Sequence, residues 1–525
     1  MAPCREACPA GIDVPRYVRL IRDGHFDEAL AVIHERIPFS LVCGHTCAHP
    51  CEAKCARLLF DEAVAIRRLK RVVAEKGGRK PAAIIKRPLT GRKVAVIGSG
   101  PCGLTAAHYL NLQGHGVTVF EALSRPGGML RYSIPDYRLP GDVLDREIDL
   151  IRESGVEIVT GRRIASAKSL LESGFDAGLV AAGSCKPTRM GIAGEDSANV
   201  IDGISFLRKV NAGEAPAIGR RVIVVGGGNT AIDAARTSIR LGSEVVLIYR
   251  RTRSEMPAGI EEIIEAAEEG VSIRFLTTPV KIGNDQVSCV RMRLGEADAS
   301  GRRTPVQIHG SEHSLAFDTL IMAVGQGADA ASMELAGRKN GTVSVASGTL
   351  ATPQEGIFAA GDAVTGSSSI ITAIAQGRLA SESIDRFLGG TGVIAGSERE
   401  EAAEGPPESA PRGTRRPKGG RIALRKRRTT FAAVERVYGD KAAVAEASRC
   451  LSCDLREFEV TVNGSICKGC GYCREVCSLG VFELSGEFNS LGYRPAVAAH
   501  TDNCVGCLRC LYICPDFAIT VKGKR

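Results

Sequence analysis

The chain of 525 residues contains no tryptophan, and aromatic residues make up only 5% of it. It also lacks a run of about 18 uncharged apolar residues, which excludes a membrane-spanning helix. The first residues do not show the basic-then-apolar order of a secretory signal. Nineteen cysteines without such a signal favour metal ligation in a reducing compartment over disulfide bonds. We therefore expect a cytoplasmic protein without a membrane span.

The composition is otherwise that of a globular protein, with 44% hydrophobic and 24% charged residues. The length suggests about three or four domains. The formal net charge is +9, but ligating thiols are deprotonated, and four oxidised four-thiolate cubanes would cancel about eight positive charges. The holo-protein is therefore expected to be nearly neutral, and its charge does not indicate nucleic-acid binding.

The clearest cysteine pattern lies near the C-terminus, where two runs with C-x2-C-x2-C-x3-C spacing begin at Cys467 and Cys504. Two-cluster bacterial ferredoxins have this spacing, and the fourth cysteine of each run binds the other cluster. Ser478 replaces the proline that would follow the first run, which could change the potential of one cluster. Zinc also binds four thiolates and is the alternative. The predicted ligand sets are Cys467, Cys470, Cys473 and Cys514 for one [4Fe–4S] cluster, and Cys504, Cys507, Cys510 and Cys477 for the other.

A first nucleotide-binding pattern occupies residues 93–121, where an apolar strand, a glycine-rich turn, a helix and a second strand follow one another. Gly98, Gly100 and Gly103 form the motif G-x-G-x-x-G. These glycines allow a tight turn, close approach of the backbone to a pyrophosphate, and close packing of the helix on the strand. Glu121 ends the second strand and would accept hydrogen bonds from an adenosine ribose. The pattern predicts a dinucleotide site.

Residues 356–364 indicate that this dinucleotide is FAD. Gly361 and Asp362 end a buried strand there, which resembles the second flavin signature of flavoproteins with two dinucleotide domains. In those proteins the carboxylate binds the ribityl chain of FAD. A turn-forming Gly-Asp pair is the alternative. The same resemblance implies flavin contacts by Gly128, Arg138, Ser369 and Ile371.

A second nucleotide-binding pattern occupies residues 221–251, between the two flavin signatures. Tyr249 stands where the first unit has Glu121, and Arg250 and Arg251 follow it. A missing carboxylate beside two guanidinium groups favours the 2′-phosphate of NADP over NAD. Solvated or pyrophosphate-bound arginines are the alternative. We expect contacts with NAD(P) from Gly226, Gly228, Asn229, Thr230, Arg250 and Arg251.

The N-terminal region contains six further cysteines, first Cys4-x3-Cys8-Pro and then four cysteines at intervals of four. That interval could place them on one helical face, but Gly44 and Pro50 favour a loop. The arrangement resembles the cluster domain shared by the small subunit of bacterial glutamate synthase, dihydropyrimidine dehydrogenase and the NADPH subunit of electron-bifurcating transhydrogenases. The resemblance covers about residues 1–390 and continues through Tyr132–Pro140, Gly226–Ala231, Tyr249–Ala258 and Gly356–Arg378.

In those relatives a C-x2-C pair precedes the first cysteine element, and here Cys450-x2-Cys453 resembles that pair beyond the FAD domain. The resemblance implies that the linker folds back to the N-terminal domain. One ligand of the second cluster is often Gln or Glu in the relatives, but the position falls near Lys70, which cannot ligate while protonated. Cys43 is the available substitute. Zinc or no metal at the Cys450 pair is the alternative. The predicted sets are Cys4, Cys55, Cys450 and Cys453 for one cluster, and Cys8, Cys43, Cys47 and Cys51 for the other.

These motifs predict an α/β protein with two Rossmann-like domains, an N-terminal helical iron–sulfur domain and a C-terminal α+β bacterial ferredoxin domain. Residues 412–428 contain nine Lys or Arg in 17 positions. A solvated or partner-bound linker is favoured there over a nucleic-acid patch, since aromatic residues are not interleaved. The predicted domains are 1–88 (iron–sulfur), 89–214 with 321–390 (FAD), 215–320 (NAD(P)), 391–449 (linker) and 450–525 (ferredoxin).

The remaining cysteines, Cys102, Cys185 and Cys289, form no C-x2-C or C-x4-C pair. The sequence thus offers no evident redox dithiol near the flavin, and electrons leaving the flavin are expected to pass to the clusters. The cofactors therefore predict conversion between hydride transfer and single-electron transfer. A catalytic acid or base is not expected, since the cofactors perform the hydride transfer.

The appended ferredoxin domain predicts docking to a redox partner. The resemblance favours an electron-transfer subunit of a 2-oxoacid:acceptor oxidoreductase, such as phenylglyoxylate dehydrogenase. Its partners would be the other subunits of that complex or a ferredoxin. Alternatives are a stand-alone NAD(P)H:ferredoxin oxidoreductase, the flavoprotein partner of a dissimilatory sulfite reductase, and a zinc-stabilised flavin-binding interaction protein without electron transfer.

Overall fold

The computed structural model describes residues 2–77, 86–298, 301–394, 414–455 and 458–523. Its N-terminal part consists of short helices, and Asp13 caps one of them by accepting a hydrogen bond from the Arg16 backbone N–H at 3.3 Å. The helices are α1 (Pro3–Glu6), α2 (Val14–Arg22), α3 (Phe26–His34), α4 (Ser40–Thr46), α5 (Pro50–Ala53) and α6 (Ile66–Lys76).

The expectation of a loop around the second cysteine group is partly wrong. Cys43 lies within α4 and Cys51 within α5, while Cys47 leaves the helical conformation between them. Gly44 remains helical because α4 and α6 touch at this point. A Cβ at Gly44 would lie 2.8 Å from the Arg71 Cα. The glycine therefore permits a close helix crossing rather than a loop.

The first nucleotide-binding unit alternates strands and helices after residue 92. The Lys93–Ile97 strand is buried except at its first residue, as its apolar composition predicts. The elements are β1 (Lys93–Ile97), α7 (Pro101–Leu112), β2 (Gly116–Phe120), α8 (Met129–Tyr132), α9 (Gly141–Glu153), β3 (Glu157–Val159), α10 (Lys168–Glu172), β4 (Ala177–Val180) and β5 (Lys186–Pro187).

The second unit repeats this alternation and then adds antiparallel strands. Its elements are β6 (Val200–Asp202), α11 (Gly203–Asn211), β7 (Arg221–Val225), α12 (Asn229–Arg240), β8 (Glu244–Ile248), α13 (Ile260–Glu268), β9 (Ser272–Arg274), β10 (Thr277–Ile282), β11 (Gln286–Ala297), β12 (Arg303–Gln307), β13 (His313–Ala316) and β14 (Thr319–Met322). The chain then returns to the first unit through β15 (Gln326–Gly327), β16 (Ile357–Ala359), α14 (Asp362–Thr365) and α15 (Ile370–Phe387).

Two parallel five-stranded sheets result, with strand orders β16-β4-β1-β2-β3 and β6-β14-β7-β8-β9. Strands β10 to β13 form an antiparallel sheet beside the second one. The two segments that connect the units, β5 and β15, pair with each other in antiparallel fashion. The sequence places the start of the NAD(P) domain at residue 215. In the structure β6 and α11, which precede that residue, belong to the second unit, because β6 pairs with β14.

The C-terminal part contains α16 (Leu424–Arg427), α17 (Asp440–Ala447), β17 (Phe458–Val462), α18 (Tyr472–Val476), β18 (Phe482–Leu484), β19 (Ala496–Ala498), α19 (Arg509–Ile513) and β20 (Ile519–Gly523). Strand β17 pairs with β20 and β18 with β19, both antiparallel. Within the described ranges, every helix is too short or too polar to cross a membrane.

The expected linker is partly structured and lies against the N-terminal helices. The Glu435 carboxylate pairs with the guanidinium groups of Arg67 and Arg68, each at 2.8 Å. Two of the basic linker residues also have acidic partners, since Arg421 pairs with Glu265 at 3.0 Å and Arg427 with Glu268 at 2.9 Å. These positive charges are therefore neutralised within the chain. The part of the basic stretch before residue 414 lies outside the described residues.

Candidate functional site

The first glycine loop has the geometry of a phosphate-binding turn. Gly98 has a φ of +100°, and a Cβ there would lie 2.5 Å from the Ala181 carbonyl oxygen. A Cβ at Gly103 would collide with the carbonyl oxygen of Gly98, whereas none of the described atoms lies within 4 Å of a Cβ built at Gly100. The first and third glycines are thus required by packing, and the second leaves open space where a pyrophosphate would bind at the start of α7.

Glu121 is 6% exposed and fixes the shape of this loop. Its carboxylate accepts hydrogen bonds from the backbone N–H groups of Ser99 at 3.1 Å and Leu123 at 2.9 Å, and from the Ser99 hydroxyl. A carboxylate offers about four acceptor positions, so one remains for a ribose hydroxyl. Gly128 also belongs here, because a Cβ on it would lie 2.7 Å from the Gly100 Cα.

The second flavin signature meets the same loop. Gly361 has a φ of +68°, and a Cβ there would lie 2.9 Å from the Cys102 Cβ, in the first turn of α7. The neighbouring Asp362 accepts hydrogen bonds from the Ser368 hydroxyl at 2.6 Å and the Ser368 N–H at 3.2 Å. Burial raises the pKa of Asp362. The structure therefore brings both predicted FAD motifs to one place.

Helix α15 begins beside these residues. The Ser369 hydroxyl caps it by accepting a hydrogen bond from the Thr372 N–H at 3.2 Å, and Ile371 is buried in its first turn. Gly377 lets α15 lie directly on α7, because a Cβ there would collide with the Cys102 carbonyl oxygen. Both predicted contact residues, Ser369 and Ile371, are thus positioned at the flavin loop.

Arg138 has partners other than those expected for a flavin contact. Its guanidinium forms ion pairs with Asp233 at 2.7 Å and Glu262 at 3.1 Å, which lie on α12 and α13 of the second unit. Burial alone would lower the pKa of Arg138, but these carboxylates raise it. Arg138 therefore joins the two nucleotide-binding units, and its predicted flavin contact stays a prediction.

The second glycine loop repeats the first in its main features. A Cβ at Gly226 would collide with the Ala323 carbonyl oxygen, while the nearest described atom to a Cβ at Gly228 is the Pro257 Cγ at 3.9 Å. The Asn229 side-chain oxygen accepts a hydrogen bond from the Gly259 N–H at 3.3 Å. The Thr230 hydroxyl accepts one from the Gln326 amide at 3.2 Å, which ties the loop to the strand between the two units.

The two candidate phosphate-binding arginines differ in environment. Arg251 is 6% exposed and donates hydrogen bonds to the Arg303 carbonyl at 2.7 Å and the Asp298 carboxylate at 3.0 Å. Arg250 is exposed. The Tyr249 ring lies against Gly227, where a Cβ would overlap it. Arg251 is thus bound to the hairpin between β11 and β12, whereas the Arg250 side chain is exposed beside the second glycine loop.

One apolar cavity in the N-terminal domain is lined by all four members of a predicted ligand set. Cys4 and Cys55 come from the N-terminal helices, and Cys450 and Cys453 come from the segment after α17. Burial, with smaller effects of Cys55 and Asp454, raises the pKa of Cys450 to about 11. Such thiols ionise readily only next to a metal, so this donor set fits an iron–sulfur cluster. The other cavity-lining residues are Pro3, Val14, Pro15, Val18, Ala56, Arg57, Val64, Ile66 and Leu451.

The second N-terminal set surrounds Lys70. This side chain is 4% exposed on α6. Burial alone would lower its pKa, but the nearby cysteine sulfurs raise it above its ordinary value. The cysteines that act on Lys70 are Cys43, Cys47, Cys8 and Cys51. Cys43 is fully buried and acts on Lys70 together with the other three, and its role as the fourth ligand stays a prediction.

The ferredoxin domain brings its cysteines together across the two runs. Cys477 of the first run lines a second apolar cavity with Cys504, Cys507 and Cys510 of the second. Cys514 of the second run lies near Cys467 of the first. The backbone N–H of Lys468, next to Cys467, donates a hydrogen bond to Asp516, two residues after Cys514, at 2.9 Å. Cys470 is exposed, and Cys473 is buried. Cys477 of the first run thus lies with three cysteines of the second, and the full ligand sets stay predictions.

The cysteine groups differ in geometry from a site for one metal ion. In the described part of the chain, no three His, Cys, Asp or Glu side chains converge on a point where one ion would bind. In a cubane each thiolate binds a different iron, so the sulfurs need not converge.

Sequence reasoning missed the residues that hold the Cys450 pair in the N-terminal domain. Arg57 donates to the Arg449 carbonyl at 3.2 Å, and the Arg449 guanidinium donates to Asp61 at 3.0 Å. Glu446 accepts a hydrogen bond from the Ala65 N–H at 2.6 Å. The available sequence signal was that Glu446 and Arg449 are three residues apart, a spacing common for ion pairs on helices. This spacing does not reveal that both residues have partners in the N-terminal domain.

Comparison with known families assigns each part of the chain. Residues 92–377 match pyridine nucleotide-disulphide oxidoreductase, residues 1–81 match the 4Fe–4S cluster domain II of dihydropyrimidine dehydrogenase, and residues 466–518 match the 4Fe–4S dicluster domain. The predicted fold class is confirmed. The glutamate synthase small chain of Escherichia coli is 34% identical over 73% of this chain and 88% of its own length, which confirms the predicted resemblance.

Two further relatives are longer than this chain. The NADP(+)-dependent formate dehydrogenase subunit beta of Moorella thermoacetica is 42% identical, over 86% of this chain and 70% of that protein. The NADPH-Fe(3+) oxidoreductase subunit beta of Geobacter sulfurreducens is 40% identical, over 74% of this chain and 64% of that protein. Among solved structures, FprA from Mycobacterium tuberculosis in complex with NADPH has the same fold, with a TM-score of 0.51, 20% identity, and coverage of 58% of this chain and 85% of that one.

Proposed function

The chain belongs to the pyridine nucleotide-disulphide oxidoreductase family and carries 4Fe–4S domains on both sides of that unit, and we propose that it is the NADP-linked, FAD-containing electron-transfer subunit of a larger enzyme. FAD supplies the exchange between hydride and single electrons, and the clusters carry single electrons. A redox-active dithiol, the usual partner of the flavin in disulphide reductases, is replaced here by thiols grouped for clusters.

The observation that carries this proposal is the N-terminal cavity with four cysteines. Cys4 and Cys55 meet Cys450 and Cys453 there, although about 400 residues of chain separate the two pairs. A cavity with apolar walls and four thiols suits a cubane, because the walls exclude water and the thiolates neutralise the iron charge. We infer four [4Fe–4S] clusters from the four cysteine sets.

The proposed roles of the other residues follow from the two glycine loops. The Gly100 backbone and the start of α7 would bind the FAD pyrophosphate, Glu121 the adenosine ribose, and Asp362 the ribityl chain. In the second unit the Gly228 backbone would bind the NADP pyrophosphate and Arg250 its 2′-phosphate. Arg138 would hold the two units in the relative position that hydride transfer needs.

Subunit status is supported by the names of the relatives. The Moorella and Geobacter proteins are named beta subunits, and the Escherichia coli protein is named a small chain. We propose that a partner chain performs the other half-reaction. The 42% identity to the Moorella protein favours formate as the partner's substrate. The 2-oxoacid complex expected from the sequence, a stand-alone ferredoxin reductase and a sulfite reductase partner remain predictions.

Anaerobic purification of the chain from its native host tests the proposal. About sixteen irons and one flavin per chain, with bleaching of the flavin by NADPH much faster than by NADH and a co-purifying catalytic subunit, are expected. Sixteen irons on a lone chain that reduces ferredoxin with NADPH would favour the stand-alone enzyme. A flavin that neither nucleotide reduces would contradict both functions.

A further inference from the structure

We propose that electrons cross between the N-terminal and ferredoxin domains at one contact, formed by Ala56, Leu451 and Val505, so that the four cysteine sets act in a fixed linear order. Each set is named here after one of its cysteines. Starting at the flavin, the order is the set that contains Cys43, then the set that contains Cys453, then the set that contains Cys507, and last the set that contains Cys470. This inference rests on the proposed function and adds the route and the place where the partner exchanges electrons.

The contact is a small apolar cluster between two cavities. Ala56, Leu451 and Val505 are buried together, and Cys453 and Cys507 pack against them. Ala56 and Leu451 line the N-terminal cavity, and Val505 lines the ferredoxin cavity. The two predicted cluster sites are therefore separated by this one apolar cluster. A short separation without polar groups suits electron transfer.

A hydrogen bond holds the two domains at this contact. The Arg509 guanidinium donates to the Leu59 carbonyl at 2.7 Å. Arg509 precedes Cys510 in the ferredoxin domain, and Leu59 lies four residues after Cys55 in the N-terminal domain. The contact thus joins the segments that carry the cysteines themselves.

The flavin side of the route is fixed by the short N-terminal helices. Cys4 and Cys8 are four residues apart, as are Cys51 and Cys55, and each pair divides between the two N-terminal sets. Four residues of chain span at most about 14 Å even when fully extended, so the two sets must be neighbours.

The Cys43 set is the one next to the flavin unit. Glu147 on α9 of that unit accepts hydrogen bonds from the N–H groups of Leu41 at 2.6 Å and Val42 at 2.9 Å, at the start of the helix that carries Cys43. The His45 Nδ1 also lies 3.1 Å from the Arg138 carbonyl oxygen. The Cys453 set, in contrast, faces the ferredoxin domain.

The far end of the route is the set that includes Cys470. This cysteine is exposed, and Phe517, three residues after Cys514, is 84% exposed. The ferredoxin cysteine that packs at the interdomain contact belongs to the other set. The surface-exposed set is therefore the one that exchanges electrons with a one-electron centre of the partner.

The electron count is conserved along this route. One NADPH gives the flavin a hydride, which carries two electrons, and becomes NADP+. The two electrons then leave singly, and each cluster gains and loses one electron in turn. The hydride also leaves one proton on the flavin, which is released to solvent when the flavin is reoxidised. Two one-electron centres of the partner, or one centre twice, accept the electrons.

The full-length variant Cys453→Ser tests the order. The anaerobic holo-protein is mixed with NADPH, and flavin absorbance and cluster EPR signals are followed in rapidly frozen samples. We expect the flavin to bleach at the wild-type rate while the ferredoxin-domain clusters are reduced at least 100-fold more slowly, although dithionite still reduces them. Reduction of those clusters at the wild-type rate would overturn the route.

Cys470→Ser is the matched variant at the other end. It should lose one cluster while NADPH still reduces the remaining three at wild-type rates, and electron delivery to the partner should be lost. Loss of reduction at the Cys507 set in this variant would reverse the proposed order. Failure of NADPH to bleach the wild-type flavin would instead contradict the proposed function on which the route depends.

Discussion

The Arg449 guanidinium donates a hydrogen bond to the Glu446 carboxylate at 2.8 Å, and the two residues are only 1% and 0% exposed. A buried ion pair is more stable when additional hydrogen bonds satisfy its charged groups. Arg449 meets this condition through Asp61 at 3.0 Å and the Glu62 carbonyl at 2.6 Å, both in the N-terminal domain. The pair therefore anchors the segment that carries Cys450 to the N-terminal cavity.

Loss of this anchor should remove one cluster. Truncating one partner of a buried ion pair costs about 3–5 kcal/mol, so Arg449→Met should destabilise the docked segment and lower the iron content by about a quarter. The matched control is Arg152→Met, which breaks the exposed pair with Asp149. Iron and sulfide analysis of both variants checks this prediction. A full complement of iron in Arg449→Met would contradict the anchoring role.

The second and third glycines of the first loop predict a contrast between variants. Gly100→Ala meets no described atom within 4 Å, so the apo-protein should remain as stable as wild type while losing FAD. Gly103→Ala would collide with Gly98 and should destabilise the loop even without flavin. Urea unfolding of the apo-proteins and flavin content after reconstitution measure the two effects. Equal flavin content in Gly100→Ala and wild type would argue against the proposed pyrophosphate position.

Arg250 should determine the preference for NADP. A hydrogen bond to a charged group contributes about 1.5–3 kcal/mol, so Arg250→Ala should raise the KM for NADPH by about 10- to 100-fold. The KM for NADH should change little. Arg253→Ala, another exposed arginine near the loop, serves as the control. Steady-state kinetics with both nucleotides would refute this role if Arg250→Ala weakened them equally.

Lys70 should raise the reduction potential of the cluster next to it. A buried cation stabilises the additional negative charge of a reduced cluster, and its removal in Lys70→Met should lower the potential. A tenfold change in the equilibrium corresponds to about 59 mV for one electron, and a shift of at least this size is expected. Lys76→Met, near the end of the same helix, is the control. An EPR-monitored redox titration in which neither variant shifts any cluster would count against this effect.

Glu435 should contribute pH-dependent stability to the docked linker. Burial opposes its ionisation, but Arg67 and neighbouring arginines lower the pKa of Glu435 to about 2. A carboxyl with a lowered folded-state pKa stabilises the fold above the unfolded-state pKa and loses that effect as the pH falls toward 2. The free energy of unfolding should therefore differ between wild type and Glu435→Gln by about 3 kcal/mol. This difference should stay constant from pH 7 to pH 5, and a decline within that range in chemical denaturation would contradict the assigned pKa.

Local patterns predicted much of this fold because their causes are local. The helix predicted after the first glycine turn is present as Pro101–Leu112, and Glu121 directly follows the second strand. The partners of Arg138 could not be read in the same way, because Asp233 lies 95 residues away and is brought near only by packing of the two units. Arg251 is a similar case. The sequence suggested that its guanidinium binds a phosphate, whereas in the structure this group donates a hydrogen bond to Asp298.

The cysteine sets were predictable to different degrees. The ferredoxin spacing alone indicated which cysteines belong together, because short loops fix their positions. The Cys450 pair was placed only through resemblance to a family, and the charged residues that dock it had no sequence signature. The helical state of Cys43 was missed because Gly44 was taken as a breaker, whereas the helix crossing at Arg71 requires a residue without a Cβ.

Anaerobic titration of the full holo-protein with NADPH, followed by optical and EPR spectroscopy, tests the central claim most directly. The account predicts that NADPH bleaches the flavin and that cluster signals then appear from both iron–sulfur domains. Flavin reduction without any cluster signal, while dithionite still produces such signals, would contradict the claim that this chain converts hydride transfer into single-electron transfer.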